Sequence, residues 1–135
     1  MSWTQTLLAG MKLQTPGPTP DALAHAAEDL DEPIPKDLLE LFKEYDGGKG
    51  QLGTREVVLW SLEELVDENI AQEVVAATPG LLLFGTDNGT EAFGHLGRYA
   101  QKPWGRISLM ASGGNAFEPL AASLADLFDA LAHGR

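Results

Sequence analysis

The sequence has no cysteine, and only 9 lysines and arginines stand against 20 aspartates and glutamates in 135 residues. The first absence removes disulfides, thiolate metal sites and cysteine nucleophiles, and suits a reducing compartment. The second leaves a formal net charge of −11, which repels phosphates and anionic headgroups and so argues against nucleic acid and membrane as partners. Aromatic residues make up only 7%, and no apolar run reaches the roughly 18 residues of a membrane span. The opening MSWTQTLLAGMKLQ lacks a basic region ahead of a continuous apolar stretch, so a cytoplasmic protein is expected. In that setting Asn88-Gly89-Thr90 reads as a turn, not a glycosylation site.

A chain of this length is expected to form one domain, able to bury roughly two-thirds of the surface its unfolded form exposes. The acidity is unevenly spread. Residues 1–73 hold 15 acidic and 5 basic side chains, whereas residues 74–135 hold 5 and 4. Such a distribution suits a basic protein partner; the plainer reading is an acidic surface that serves solubility.

Apolar spacing and breakers divide the chain. Trp3, Leu7, Leu8, Met11 and Leu13 are loosely helical in spacing and precede the breaker TPGPTP, so residues 1–19 read as an N-terminal helix or arm and residues 20–135 as the domain. Thr19 can cap a helix with Pro20 at its first position. A second helix opens at Ile34-Pro35-Lys36-Asp37, with an apolar stripe from Leu38 to Tyr45 and with Asp37, Glu40 and Glu44 facing water, and stops at Asp46-Gly47-Gly48. Val57 to Trp60 is a strand. Ser61 and Glu64 then form a capping box for a helix from Leu62 to about Ala71. Leu81–Leu96 reads as a hairpin with Asn88-Gly89 at its turn, Arg106–Met110 as a further strand, Ser112–Asn115 as a turn, and Ser123 as the cap of a closing helix. Helices first, then short strands, then a helix predict an α+β fold with an antiparallel sheet covered by N-terminal and C-terminal helices.

Candidate chemistry is thin. Asp87, Asn88 and Glu91 offer oxygen ligands for a divalent cation or carboxylates for a small hydrolase, but their spacing does not match a twelve-residue calcium loop and a hairpin turn accounts for them. His25, His95 and His133 are too dispersed for a histidine metal motif. Ser61 and Ser123 sit in capping contexts, without the glycines that expose a nucleophilic serine. Gly47-Gly48-Lys49-Gly50 follows a helix and lacks the Gly-Lys-Ser/Thr ending of a phosphate loop. No catalytic, metal or cofactor residue is therefore assigned. Trp60, at a strand end, is expected in the core; Trp104, in the Lys102-Pro103-Trp104-Gly105 loop beside Arg106, is expected to be exposed and available as a contact.

Four segments in this order carry a family resemblance: Ile34-Pro35-Lys36-Asp37-Leu38 with Phe42 and Asp46-Gly47-Gly48; Trp60-Ser61-Leu62-Glu63-Glu64-Leu65; Leu83-Phe84-Gly85-Thr86-Asp87-Asn88-Gly89; and Ser123-Leu124-Ala125-Asp126-Leu127-Phe128. From about residue 20 to the end, the chain resembles the SUKH superfamily, the Smi/Knr-like domains. Relatives often stop the second helix with Asn-Gly-Gly, where this chain has Asp46-Gly47-Gly48. The resemblance implies an α+β domain without known catalytic residues. It also implies a bacterial immunity protein that neutralises a polymorphic or contact-dependent toxin by direct binding, or alternatively a regulatory or scaffolding domain with an endogenous partner. Under the first reading the partner is a basic toxin domain, and the expected contact residues are Glu28, Asp29, Asp31, Glu32, Glu63, Glu64, Asp67, Glu68 and Trp104.

Overall fold

A computed structural model describes residues 8–30, 32–72, 75, 78–87, 90–109 and 117–134. Among these residues seven strands form one antiparallel sheet in which spatial order follows chain order: β1 (Met11–Leu13), β2 (Gly48–Leu52), β3 (Arg55–Leu59), β4 (Leu81–Thr86), β5 (Glu91–Leu96), β6 (Trp104–Ser108) and β7 (Glu118–Ala121). Among the same residues four helices accompany it: α1 (Pro20–Leu30), α2 (Lys36–Glu44), α3 (Leu62–Ala71) and α4 (Leu124–Ala132). The α+β class and the single sheet with helices before, within and after it are as the residue pattern predicts.

Local chemistry sets the helix starts. The Thr19 hydroxyl accepts the Ala22 N–H at 3.1 Å. Ser61 and Glu64 complete both bonds of the capping box, at 3.2 and 3.0 Å, and the Ser123 hydroxyl accepts the Asp126 N–H at 3.1 Å. Each of these bonds satisfies an amide that the helix itself leaves without a partner. Two further caps come from far along the chain. The Asp46 carboxylate accepts the Leu62 N–H at 2.8 Å, and the Asp37 carboxylate accepts the Leu124 N–H at 2.9 Å. Asp37, expected to face water, is therefore half-buried and ties the start of α2 to the start of α4. Gly47 permits the reversal after α2 because it has φ +80° and because a Cβ there would lie 2.5 Å from the Ser61 nitrogen.

Two elements differ from the expectation. Met11–Leu13, in the stretch read as a helix or arm, is an edge strand paired with Gly48–Gly50, and the glycines that follow the end of the helix at Glu44 open a strand, Gly48–Leu52, that the residue pattern did not announce. In both cases neighbouring backbone decides, because β2 is hydrogen-bonded on one side to β1 and on the other to β3. The strand predicted at Arg106–Met110 runs instead over Trp104–Ser108. The predicted turns at Asn88-Gly89 and Ser112–Asn115 lie outside the described residues.

The core is one cluster. Leu38, Leu41 and Phe42 of α2 and Leu124, Leu127, Phe128 and Leu131 of α4 are buried in it. Phe84 of β4 packs edge-on against Trp104 at 5.8 Å and Phe128 at 6.1 Å between ring centroids, an arrangement that aromatic quadrupoles favour.

At the centre of the sheet β3 and β4 pair only at Val58/Thr86 and Leu59/Gly85, with one more bond from the Trp60 N–H to the Phe84 carbonyl. Beyond that point β3 leaves the sheet to start α3, and the β4 edge would be left bare. Asn69, on the buried face of α3, replaces the missing strand. Its Oδ1 accepts the Leu83 N–H at 2.8 Å, and its Nδ2 donates to the Leu83 carbonyl at 2.7 Å and to the Leu65 carbonyl at 2.7 Å. The two bonds to Leu83 form a clamp that fixes the position of α3 against the sheet, and with it the surface that α3 shares with α1, while the third, within α3, orients the amide.

Candidate functional site

Helix α1 packs against α3. The contact uses the small side chains Ala22 and Ala26 of α1 beside Leu62 and Val66 of α3, which together floor a groove of about 420 Å³. Among the described residues its rim carries Asp29, Asp46, Glu63 and Asp67, with His25 as the one nitrogen base and no lysine or arginine. The groove thus has an apolar floor and a strongly anionic edge, brought together from two acidic stretches far apart in sequence.

The expected contact residues separate according to what their side chains already do. Asp29, Glu63 and Asp67 converge on the groove, and none forms an ion pair among the described residues. Glu32 lines the adjoining hollow together with Asp29. Glu64 is held in the capping box, and Glu68 accepts from the Gln72 amide at 2.8 Å. Glu28 is exposed but does not line the groove. Asp31 lies outside the described residues. The expected exposure of Trp104 is corrected: it is a strand residue, 3% exposed, packed on Phe84 and on the His95 ring at 4.7 Å between centroids. Pro103 and Gly105 flank it as turn residues would, but the register of β6 between β5 and β7 turns its side chain inward.

Ile70 is the residue that sequence reasoning missed. It is 68% exposed near the C-terminal end of α3 and shares the adjoining hollow with Asp29 and Glu32. It lies three residues after Asp67 and seven after Glu63, and therefore on the same side of the helix. A large exposed apolar side chain ringed by carboxylates is a candidate anchor for a partner. The available signal was helical spacing, since Leu62, Leu65 and Asn69 take the buried stripe and leave Ile70 off it.

The polar residues of the β4/β5 hairpin and of β6 have structural employment. The Asp87 carboxylate accepts the Glu91 N–H at 3.0 Å and the Thr90 hydroxyl at 3.1 Å, so it organises the hairpin turn. Arg106 bridges Glu91 at 3.4 Å and Glu118 at 3.0 Å across three strands. Among the described residues no group of three or more histidines and carboxylates is placed to hold a metal ion, and no helix is long and apolar enough to cross a membrane.

His95 is half-buried against Trp104. Burial lowers its pKa from 6.5, with the negative charge of Asp37 partly opposing. Between that lowered value and 6.5 the unfolded chain holds a proton that the folded chain lacks, so unfolding takes up a proton. Stability should therefore fall as pH drops below about 6.5. Urea titrations at pH 7.5 and 5.5 should show the loss, and His95→Gln should reduce it. An equal loss in the variant would show that His95 does not contribute.

Fold and surface together define an α+β domain built on a seven-stranded antiparallel meander, with an open helical groove. Residues 17–130 match the SMI1 / KNR4 family (SUKH-1), and the chain belongs to that family, which includes immunity proteins. No curated protein matches the chain.

Proposed function

We propose that this protein is a non-catalytic immunity protein that acts in the cytoplasm by binding a basic toxin domain and masking its active surface. The observation that carries this reading is the α1/α3 groove, where Asp29, Glu63 and Asp67 stand around an apolar floor and form no ion pair among the described residues. Like charges that line one groove repel one another in the free protein, and a cationic partner relieves that repulsion when it docks. Ile70 supplies an apolar contact beside the charged rim. Family membership supports the same reading.

The test is capture of the tagged full-length protein's partner from its source cells, identification by mass spectrometry, and expression of the captured protein alone and together with this chain. The expected result is a basic protein that stops growth when expressed alone and is tolerated when co-expressed. Capture of a harmless resident protein would replace this reading with the regulatory one. Persistent growth arrest on co-expression would overturn neutralisation.

A further inference from the structure

The acidic groove continues past Ile70. The hollow beside Ile70, about 230 Å³, shares Asp29 with the groove and shares Glu32, Gly80 and Leu82 with a third cleft of about 510 Å³. The walls of that third cleft include Ile34, Pro35, Lys36, His95 and Arg98. The groove meets the middle hollow at Asp29 and the middle hollow meets the third cleft at Glu32, Gly80 and Leu82, so the three lie in series as a track from α1/α3 to the start of α2 and the end of β5. Its charge changes sign on the way. Asp29, Glu63 and Asp67 mark one end, Ile70 the middle, Glu32 the junction, and Lys36 and Arg98 the far end.

The cations at the far end are not consumed internally. Neither Lys36 nor Arg98 forms an ion pair among the described residues. The Arg98 guanidinium lies 5.7 Å from the centre of the Tyr99 ring, a contact that positions the charge without neutralising it. Both side chains are exposed.

We infer that the track takes one continuous segment of a partner protein with cations at one end, an apolar side chain at its middle and carboxylates at the other end. This rests on the protein-binding reading of the groove and adds the chemistry of the bound segment. A uniformly basic segment matches only the acidic end and sets its distal cations against Lys36 and Arg98. A segment of the stated polarity satisfies both ends and is held in one direction. Opposed charge blocks therefore supply register and rejection of wrong partners.

Labelled 16-residue synthetic peptides of three designs test the inference by fluorescence anisotropy against the protein at low salt. The first carries a block of four lysines, a Leu-Leu centre and a block of four glutamates, and is made in both directions. The second interleaves the same residues around the same centre, and the third keeps the lysine block and replaces the glutamates by serine. The block peptide, in one direction, should bind at least tenfold more tightly than the interleaved one. The double variant K36E/R98E should abolish that advantage, while the lysine-only peptide binds no worse. Both substitutions are on exposed side chains, and circular dichroism checks that the variant is folded. Equal binding of block and interleaved peptides, or an unchanged advantage in K36E/R98E, would overturn the two-ended track while binding of the lysine-only peptide kept the acidic groove. Failure of the lysine-only peptide to bind would overturn both.

Discussion

Asn69→Asp should destabilise the protein by about 3 kcal/mol or more, a large share of the 5–15 kcal/mol that holds a typical domain folded. The side chain keeps its shape, but Nδ2, which donates to the Leu65 and Leu83 carbonyls at 2.7 Å each, becomes an oxygen facing two oxygens. Asn69 is 6% exposed, so a carboxylate at that site is also poorly solvated. Asn69→Leu should cost about 2–4 kcal/mol by another route, because it leaves the Leu83 N–H and C=O without their side-chain partner. Urea unfolding measures both. Acid distinguishes them: a protonated aspartic acid can donate to one carbonyl, so the deficit of Asn69→Asp should narrow as pH falls, whereas that of Asn69→Leu should not. A cost below about 1 kcal/mol for both would show that α3 does not depend on the clamp.

Asn69 also shows which part of the fold was legible. The capped starts at Thr19, Ser61 and Ser123 could be read because each uses residues within three positions of one another. The β4/β5 hairpin could be read because its apolar runs and turn residues adjoin. Asn69 itself was half-visible, as a polar residue on the stripe of Leu62 and Leu65, where a buried side chain must find partners. Its partner Leu83 lies across a loop, and nothing local announces it. Strand β2 was hidden for the opposite reason, since Gly48-Lys49-Gly50 has no apolar side chain to signal a pleat and owes its conformation to β1 and β3. Trp104 misled because Gly105 reads as a turn residue, whereas it sits inside β6, where a Cβ would strike the Glu118 carbonyl of β7. The acidic residues of α1 and α3 were legible as charge. That Asp29, Glu63 and Asp67 form one surface, while Glu64 and Glu68 are occupied elsewhere, depends on tertiary packing that no local pattern carries.

That surface yields the largest expected effect on binding. The triple variant D29K/E63K/D67K reverses three charges on exposed positions of the groove rim, and should slow association with the captured basic partner by about a hundredfold at low salt. Added salt should weaken binding of the wild-type protein and strengthen what remains in the variant, because screening then reduces repulsion instead of attraction. Ile70→Ala should act differently. It removes an apolar side chain that is 68% exposed in the free protein and that the proposed complex would bury, so it should leave association nearly unchanged and speed dissociation about tenfold. Neither change touches the core, and the triple variant substitutes positions with no ion pair among the described residues. Both proteins should therefore unfold close to the wild-type midpoint, which separates a lost interface from a lost fold. Biosensor kinetics at two salt concentrations measure both effects. If the triple variant associates at the wild-type rate, the partner docks elsewhere; if it associates slowly while Ile70→Ala dissociates at the wild-type rate, the groove steers the partner and another residue anchors it.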